Sequence, residues 1–160
     1  GDLQDPAAVR AFGEGLDAIT VEIEHVSVEG LQALADAGVE VVPRPAHLAL
    51  IQDKGLQKQA YERWGVPSAP YQLIDGLAEV GSMGFPVVQK LRKGGYDGKG
   101  VQVLRSAEDA GERGFDAPSV LEKAVDIDKE LSVIVARNAS GATAVYPVVE
   151  AVFNPQINLV

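Results

Sequence analysis

The sequence predicts an α/β chain in two parts: the tail of a parallel, doubly wound sheet over residues 1–45, then an α+β part over residues 46–160. Three observations lead there. Helical and strand patterns alternate at the start, as in a parallel sheet with crossover helices. Pro43-Arg44-Pro45 then punctuates the chain as a domain boundary. Beyond it, two consecutive helical stretches give way to a run of short apolar strands.

Asp5 reads as an N-cap with Pro6 at the first helical position, followed by Val9, Arg10 and Phe12 on a short helix. Asp17 to Ile23 is β-branched and mostly apolar, which predicts a buried strand. Ser27 should cap a second helix with Leu31, Leu34 and Ala35 inward, Gly38 should stop it, and Val39 to Val42 make another strand. Pro45 to Leu50 and Asp53 to Trp64 read as helices, with Tyr61 and Trp64 in the core and His47 at the surface or a cap. Tyr71 to Ile74 is a strand and Leu77 to Met83 a helix. Phe85 to Leu91 and Val101 to Leu104 should pair across a glycine-rich loop. Ser106 caps a weak helix. Ser119 to Lys123, Glu130 to Arg137 and Ala142 to Val149 complete the strands, the last two joined at Asn138-Ala139-Ser140-Gly141.

Composition narrows the function. With 46% apolar and 23% charged residues among 160, the chain is of ordinary globular type. Against 14 Lys and Arg stand 23 Asp and Glu, a net charge of -9. A surface that acidic repels nucleic-acid phosphates and anionic lipid, so neither is an expected partner. Cysteine is absent, which excludes disulfides and thiolate metal sites and agrees with a cytoplasmic location. No apolar run approaches the ~20 residues of a membrane helix. Gly1 to Pro6 reads as a loop and helix start, and Pro155 to Val160 ends without a stop signal. Both ends are expected to be cuts through a longer protein.

The chemistry concentrates in Lys90-Leu91-Arg92-Lys93-Gly94-Gly95-Tyr96-Asp97-Gly98-Lys99-Gly100. Four basic side chains stand here in an acidic chain, and residues 94–100 include four glycines. Glycine removes the Cβ barrier to positive φ, so successive N–H groups can converge on one anion. A strand, glycine loop and strand with a lysine at the strand end suits a polyphosphate, although the spacing is neither that of the common phosphate loop nor that of a dinucleotide fingerprint. A flexible hairpin with a solvated basic tip fits the same residues. Lys90 closes an apolar strand, where its charge needs a partner, either a nearby acid or a phosphate. Glu122, at a strand end before Lys123-Ala124-Val125, could accept from an adenine amino group, and Glu130 from ribose hydroxyls. Exposed acids at strand ends are the competing reading of both. Glu22-Ile23-Glu24-His25 ends the first long strand and reads as a site-edge or structural cluster, because alternation separates His25 from the two acids.

The Lys90 to Gly100 string resembles the glycine loop of the 5-(carboxyamino)imidazole ribonucleotide synthase family of ATP-grasp ligases. Glu22 to Val26, Gln52-Asp53-Lys54 with Gln57-Lys58, Gly65-Val66-Pro67 and Tyr146 to Glu150 follow in that family's order and spacing. The resemblance implies a pre-ATP-grasp, Rossmann-like sheet followed by the ATP-grasp small subdomain and the start of the large one. It implies an ATP-dependent carbon–nitrogen ligase of purine biosynthesis that carboxylates 5-aminoimidazole ribonucleotide with bicarbonate. By this resemblance Lys54 and Lys90 contact phosphates, Gly95 to Val101 (including Gly98, Lys99 and Gly100) cover them, and Glu122, Lys123, Ala124 and Val125 hold adenine. Glu130 takes the ribose, while Tyr96 and Asp97 stand at the bicarbonate or imidazole end. The chain departs from the family at two positions: Lys54 is often arginine there, and Phe153 stands where some members have histidine. Mg²⁺ is implied with its ligands outside this stretch, as are a homodimer and a substrate loop before Gly1, so this stretch alone is expected to be inactive. Another ATP-grasp purine ligase, or a non-catalytic ATP-binding module, is the alternative.

Overall fold

Asp5 accepts a hydrogen bond from Ala7 N–H at 3.0 Å and so opens α1, Pro6–Gly13, with proline at its start. In this computed structural model residues 1–95 and 99–152 are described, and they fall into two units, Gly1–Ala124 and Val125–Val160. Within the first, β1 (Ala18–Thr20) leads to α2 (Val28–Asp36), where Ser27 Oγ accepts from Gly30 N–H at 3.1 Å. β2 (Glu40–Val42) returns parallel to β1, pairing Ala18 with Glu40 and Thr20 with Val42. The expected strand to Ile23 thus stops at Thr20. Its partner runs into Pro43, which has no N–H to extend a ladder, so the residues after Thr20 leave the sheet.

Val9, Val26, Leu31, Leu34, Val41 and Leu48 form the core of this part. α1 and α2 meet at Gly30, where a Cβ would stand 2.8 Å from Val9 Cβ and 2.9 Å from the Pro6 carbonyl oxygen. α3 (Pro45–Gln52) and α4 (Lys54–Trp64) follow, hinged at Asp53. Gly65 ends α4 at φ 66°, a left-handed cap that suits glycine. Trp64, expected in the core, is 62% exposed. The buried positions of α4, Gly55, Lys58 and Ala60, stop a turn short of it. His47 is exposed, as expected.

β3 (Tyr71–Ile74), β4 (Val87–Leu91), β5 (Val101–Leu104) and β6 (Ser119–Lys123) build one antiparallel sheet in the order β3-β6-β4-β5. Ile74, Val87, Leu104 and Leu121 bury one face with Val80 and Ala110. Val80 lies in a 3-10 helix, Leu77–Met83, which is wound more tightly than an α-helix. Ala110 lies in α5, Ala107–Arg113, capped by Ser106 Oγ on Asp109 N–H at 3.1 Å. On the same face Gln89 is fully buried. Its Nε2 donates to Phe115 O at 2.7 Å and to Ser119 Oγ at 3.1 Å, while its Oε1 accepts from Phe115 N–H at 2.8 Å.

In the second unit the two long strands expected over 130–137 and 142–149 are each broken. β7 (Glu130–Ser132) pairs with β10 (Val149–Ala151), and β8 (Val135–Arg137) pairs with β9 (Thr143–Val145). Residues 133–134 on one side face 146–148 on the other, so the second side carries one residue more, a bulge at Pro147. Asn138 closes the β8–β9 turn, its Oδ1 accepting from Ala142 N–H at 3.0 Å.

Candidate functional site

The face of the sheet opposite its core is where charge gathers. Strand alternation places Lys90 of β4 and Glu122 of β6 on this side, away from Val87, Gln89 and Leu121. Lys90 Nζ lies 2.7 Å from Glu122 Oε2, and Lys58 Nζ, from α4, lies 2.7 Å from Oε1. Lys58 also donates to Ser68 Oγ and stands 5.7 Å from the centre of the Tyr71 ring. Glu122 is only 8% exposed, so it is not one of the exposed acids that the competing reading required. Burial pushes its carboxyl up, but the hydrogen bonds and charges of Lys58 and Lys90 outweigh this, and the balance lies below the ordinary value. Two ammoniums share one carboxylate, which leaves a net positive charge beside the glycine hairpin.

The hairpin is the expected strand, loop and strand. Lys90 pairs with Val101 at its base, and Leu91 N–H donates to Gly100 O at 2.8 Å. Its stem closes tightly: a Cβ on Gly95 would stand 2.7 Å from Lys99 O. Lys54 Nζ reaches Gly95 O at 3.4 Å and so meets the loop from the first turn of α4. Tyr96, Asp97 and Gly98, together with Phe153, lie outside the described residues. Lys99 is exposed at the returning side of the hairpin.

A second charged pair anchors the hairpin's root. Asp53 Oδ1 accepts from Gly55 and Leu56 N–H, capping α4, and both of its oxygens bind Arg92. Burial raises the Asp53 carboxyl, while the Arg92 hydrogen bond, the two N–H groups and the Arg92 charge lower it further than burial lifts it. Arg92 is raised in turn, chiefly by its hydrogen bond to Asp53. A Cβ at Gly55 would come within 2.7 Å of Arg92 Nε, so the pair needs glycine there.

The other expected residues are arranged less simply. Lys123 points its ammonium to the carbonyls of Gly84, at 3.2 Å, and Met83, at 3.5 Å, on the face opposite Glu122. Its N–H donates to Pro70 O at 2.9 Å and that of Ala124 to Pro86 O at 3.2 Å. Val125 and Glu130 are exposed residues of the second unit, where Glu130 opens β7 opposite Ala151. Glu22 and Glu24 are exposed in the irregular stretch after β1, and Gln52 Nε2 holds the Glu24 and Val26 carbonyls at 2.7 Å each. Lys58 and Arg92 carry no expected role from sequence. The signal for Lys58 was its place four residues after Lys54, which sets both lysines on one helix face.

Two domain families match the chain: the ATP-grasp domain over residues 59–159, and the ribonucleotide synthetase preATP-grasp domain over residues 1–52. The chain is similar to N5-carboxyaminoimidazole ribonucleotide synthase of Synechococcus elongatus, with 41% identity over 91% of this chain and 39% of that protein. It is similar to the crystal structure of carboxyaminoimidazole ribonucleotide synthase from Aspergillus clavatus complexed with ATP. There the TM-score is 0.87 at 31% identity, over 95% of this chain and 42% of that one. For N5-carboxyaminoimidazole synthase of the same organism, in complex with ADP and 5-aminoimidazole ribonucleotide, the TM-score is 0.84 at 29% identity. That match covers 97% of this chain and 42% of that one. The chain thus spans about two fifths of the length of the curated relative it matches. With one match to residues 59–159 and another to 1–52, the chain belongs to the ATP-grasp family and carries a ribonucleotide-synthetase preATP-grasp segment ahead of the ATP-grasp domain.

Proposed function

We propose that this chain supplies the nucleotide-covering part of a ligase that carboxylates 5-aminoimidazole ribonucleotide at the expense of ATP. The γ-phosphoryl group passes to a bicarbonate oxygen and ADP leaves. The exocyclic amine then attacks the carbon of carboxyphosphate, expelling phosphate and losing a proton. The carrying observation is the shared carboxylate: Lys58 and Lys90 both bind Glu122 at 2.7 Å, leaving positive charge at the base of the glycine hairpin. An anion there completes the balance, and positioning with charge neutralisation is most of what phosphoryl transfer asks of a protein.

In this reading Lys54 and Lys90 take phosphates, residues 95–101 cover them, Glu122 to Val125 hold adenine and Glu130 the ribose. Tyr96 and Asp97 serve the bicarbonate or imidazole end. The domain boundary falls between residues 45 and 46, and the active protein is a cytoplasmic homodimer. ATP-grasp chemistry brings Mg²⁺ to neutralise the transferring phosphoryl group. Among the described residues no group of three or more His, Cys, Asp or Glu could hold a metal ion, so no metal ligand is assigned to them. The test is phosphate release from ATP by the full-length protein, with bicarbonate and 5-aminoimidazole ribonucleotide each present or omitted. Release that requires both is expected. Release indifferent to the ribonucleotide would overturn the reading.

A further inference from the structure

We propose that Lys58 is a positioning residue of the nucleotide site, which keeps Glu122 neutralised so that Lys90 can turn from that carboxylate to a phosphate. The inference rests on the nucleotide reading given above and adds a residue to it.

The two lysines are not equivalent. The Lys58 side chain is 11% exposed and that of Lys90 is 30% exposed. Lys58 is fixed from three sides, by Glu122 Oε1, Ser68 Oγ and the face of the Tyr71 ring. Tyr71 is itself the cross-strand neighbour of Glu122, so the aromatic face that steadies the ammonium belongs to the same sheet as the acid it neutralises. Lys90 instead stands one strand away at the stem of the glycine hairpin, opposite Val101. Of the two it is the one placed to reach a ligand beneath the hairpin.

Glu122 sets the condition for that movement. A carboxylate this buried loses far more by becoming unpaired than a surface acid would. Were Lys90 its sole counter-ion, every phosphate that drew Lys90 away would strand the charge. Nucleotide binding would then work against the fold. With Lys58 in place, Lys90 exchanges one anion for another while Glu122 keeps a short ion pair. Lys58 therefore acts on the nucleotide through Glu122 and touches no part of it.

The experiment is a double-mutant cycle in the full-length protein, reading ATP affinity by calorimetry with Mg²⁺ present. Lys58→Met is expected to weaken ATP binding about tenfold, and Lys58→Arg to recover most of that loss. In a Glu122→Gln background there is no charge to neutralise, so adding Lys58→Met should change ATP affinity less than about twofold. This second comparison also serves if Lys58→Met alone fails to fold, because the double variant buries no unpaired charge. A further tenfold loss in the Glu122→Gln background would overturn the inference by showing direct action on the nucleotide. ATP binding that Lys90→Met weakens and Lys58→Met leaves unaltered would overturn it while leaving the nucleotide reading intact. Absence of ATP binding by the unsubstituted protein would overturn both.

Discussion

Arg92 grips Asp53 with two hydrogen bonds, Nε to Oδ1 at 3.0 Å and Nη2 to Oδ2 at 2.7 Å, and so fastens the start of α4 to the end of β4. Lys54 N–H reinforces the same joint by donating to Arg92 O at 3.0 Å. Lys54 and the glycine hairpin are thereby fixed to one point.

Arg92→Met removes the fork and keeps the stem. Asp53 would retain its two N–H donors from Gly55 and Leu56, so the loss should be that of a charged hydrogen-bonded pair and no more, about 1.5–3 kcal/mol. Urea unfolding of both proteins measures it. A change within experimental scatter would show the clamp to be inert.

Lys90→Met deletes a charge at the hairpin stem but leaves Glu122 paired with Lys58. Nucleotide binding should weaken by about 1.5–3 kcal/mol with little change in Tm. Unaltered ATP affinity together with a lower Tm would make Lys90 a structural ion-pair residue instead.

The pH dependence of stability follows from Glu122. Its carboxyl is held below the ordinary value in the folded protein, so the unfolded chain takes up the proton first as pH falls. The stability it contributes is complete above the unfolded value of about 4 and disappears as pH drops through the lower folded one. The stability gap between the unsubstituted protein and Glu122→Gln should therefore stay constant from neutrality to about pH 5 and narrow below about pH 4. Denaturant titrations across that range would detect a flat profile, the outcome that contradicts the assignment.

Gly30→Ala tests the contact between the first two helices. The new methyl would press on Val9 Cβ at 2.8 Å and on the Pro6 carbonyl at 2.9 Å, and a backbone atom cannot step aside cheaply. A loss of about 1–3 kcal/mol is expected, as for other overpacked sites. An unchanged melting curve would mean that α1 shifts freely on α2.

What the sequence made legible was mostly local. Asp5, Ser27 and Ser106 cap the helices they were expected to cap, and Gly65 takes the left-handed turn after α4. These rest on short-range rules, a side-chain oxygen two or three residues from an unpaired N–H. The glycine hairpin was legible for the same reason. Non-local choices were not. Whether Lys90 meets an acid or a phosphate depends on which strand lies beside β4, and no spacing in the sequence says that β6 brings Glu122 there. Lys58 stands in the sequence only as part of the Gln57-Lys58 motif, and its tie to Glu122 depends on β6 packing beside α4. Pro147 lies inside the segment read as one strand over 142–149 and marks the break between β9 and β10, whereas the break between β7 and β8 has no such residue of its own and follows from the partner side.

Gln89 gives the charged face a dependence on its opposite side. A slip of β4 by two residues along β6 would keep apolar side chains on the core side, and hydrophobic alternation would raise no objection. The amide of Gln89 would object, because its three hydrogen bonds to Phe115 and Ser119 exist at one register only. That register is also the one that sets Val88 opposite Glu122 and brings the next residue on the same side, Lys90, within 2.7 Å of the carboxylate. An uncharged side chain buried under the sheet is thus the ruler by which the charges on top of it are spaced. Evolution or design could retune their separation there without altering either one.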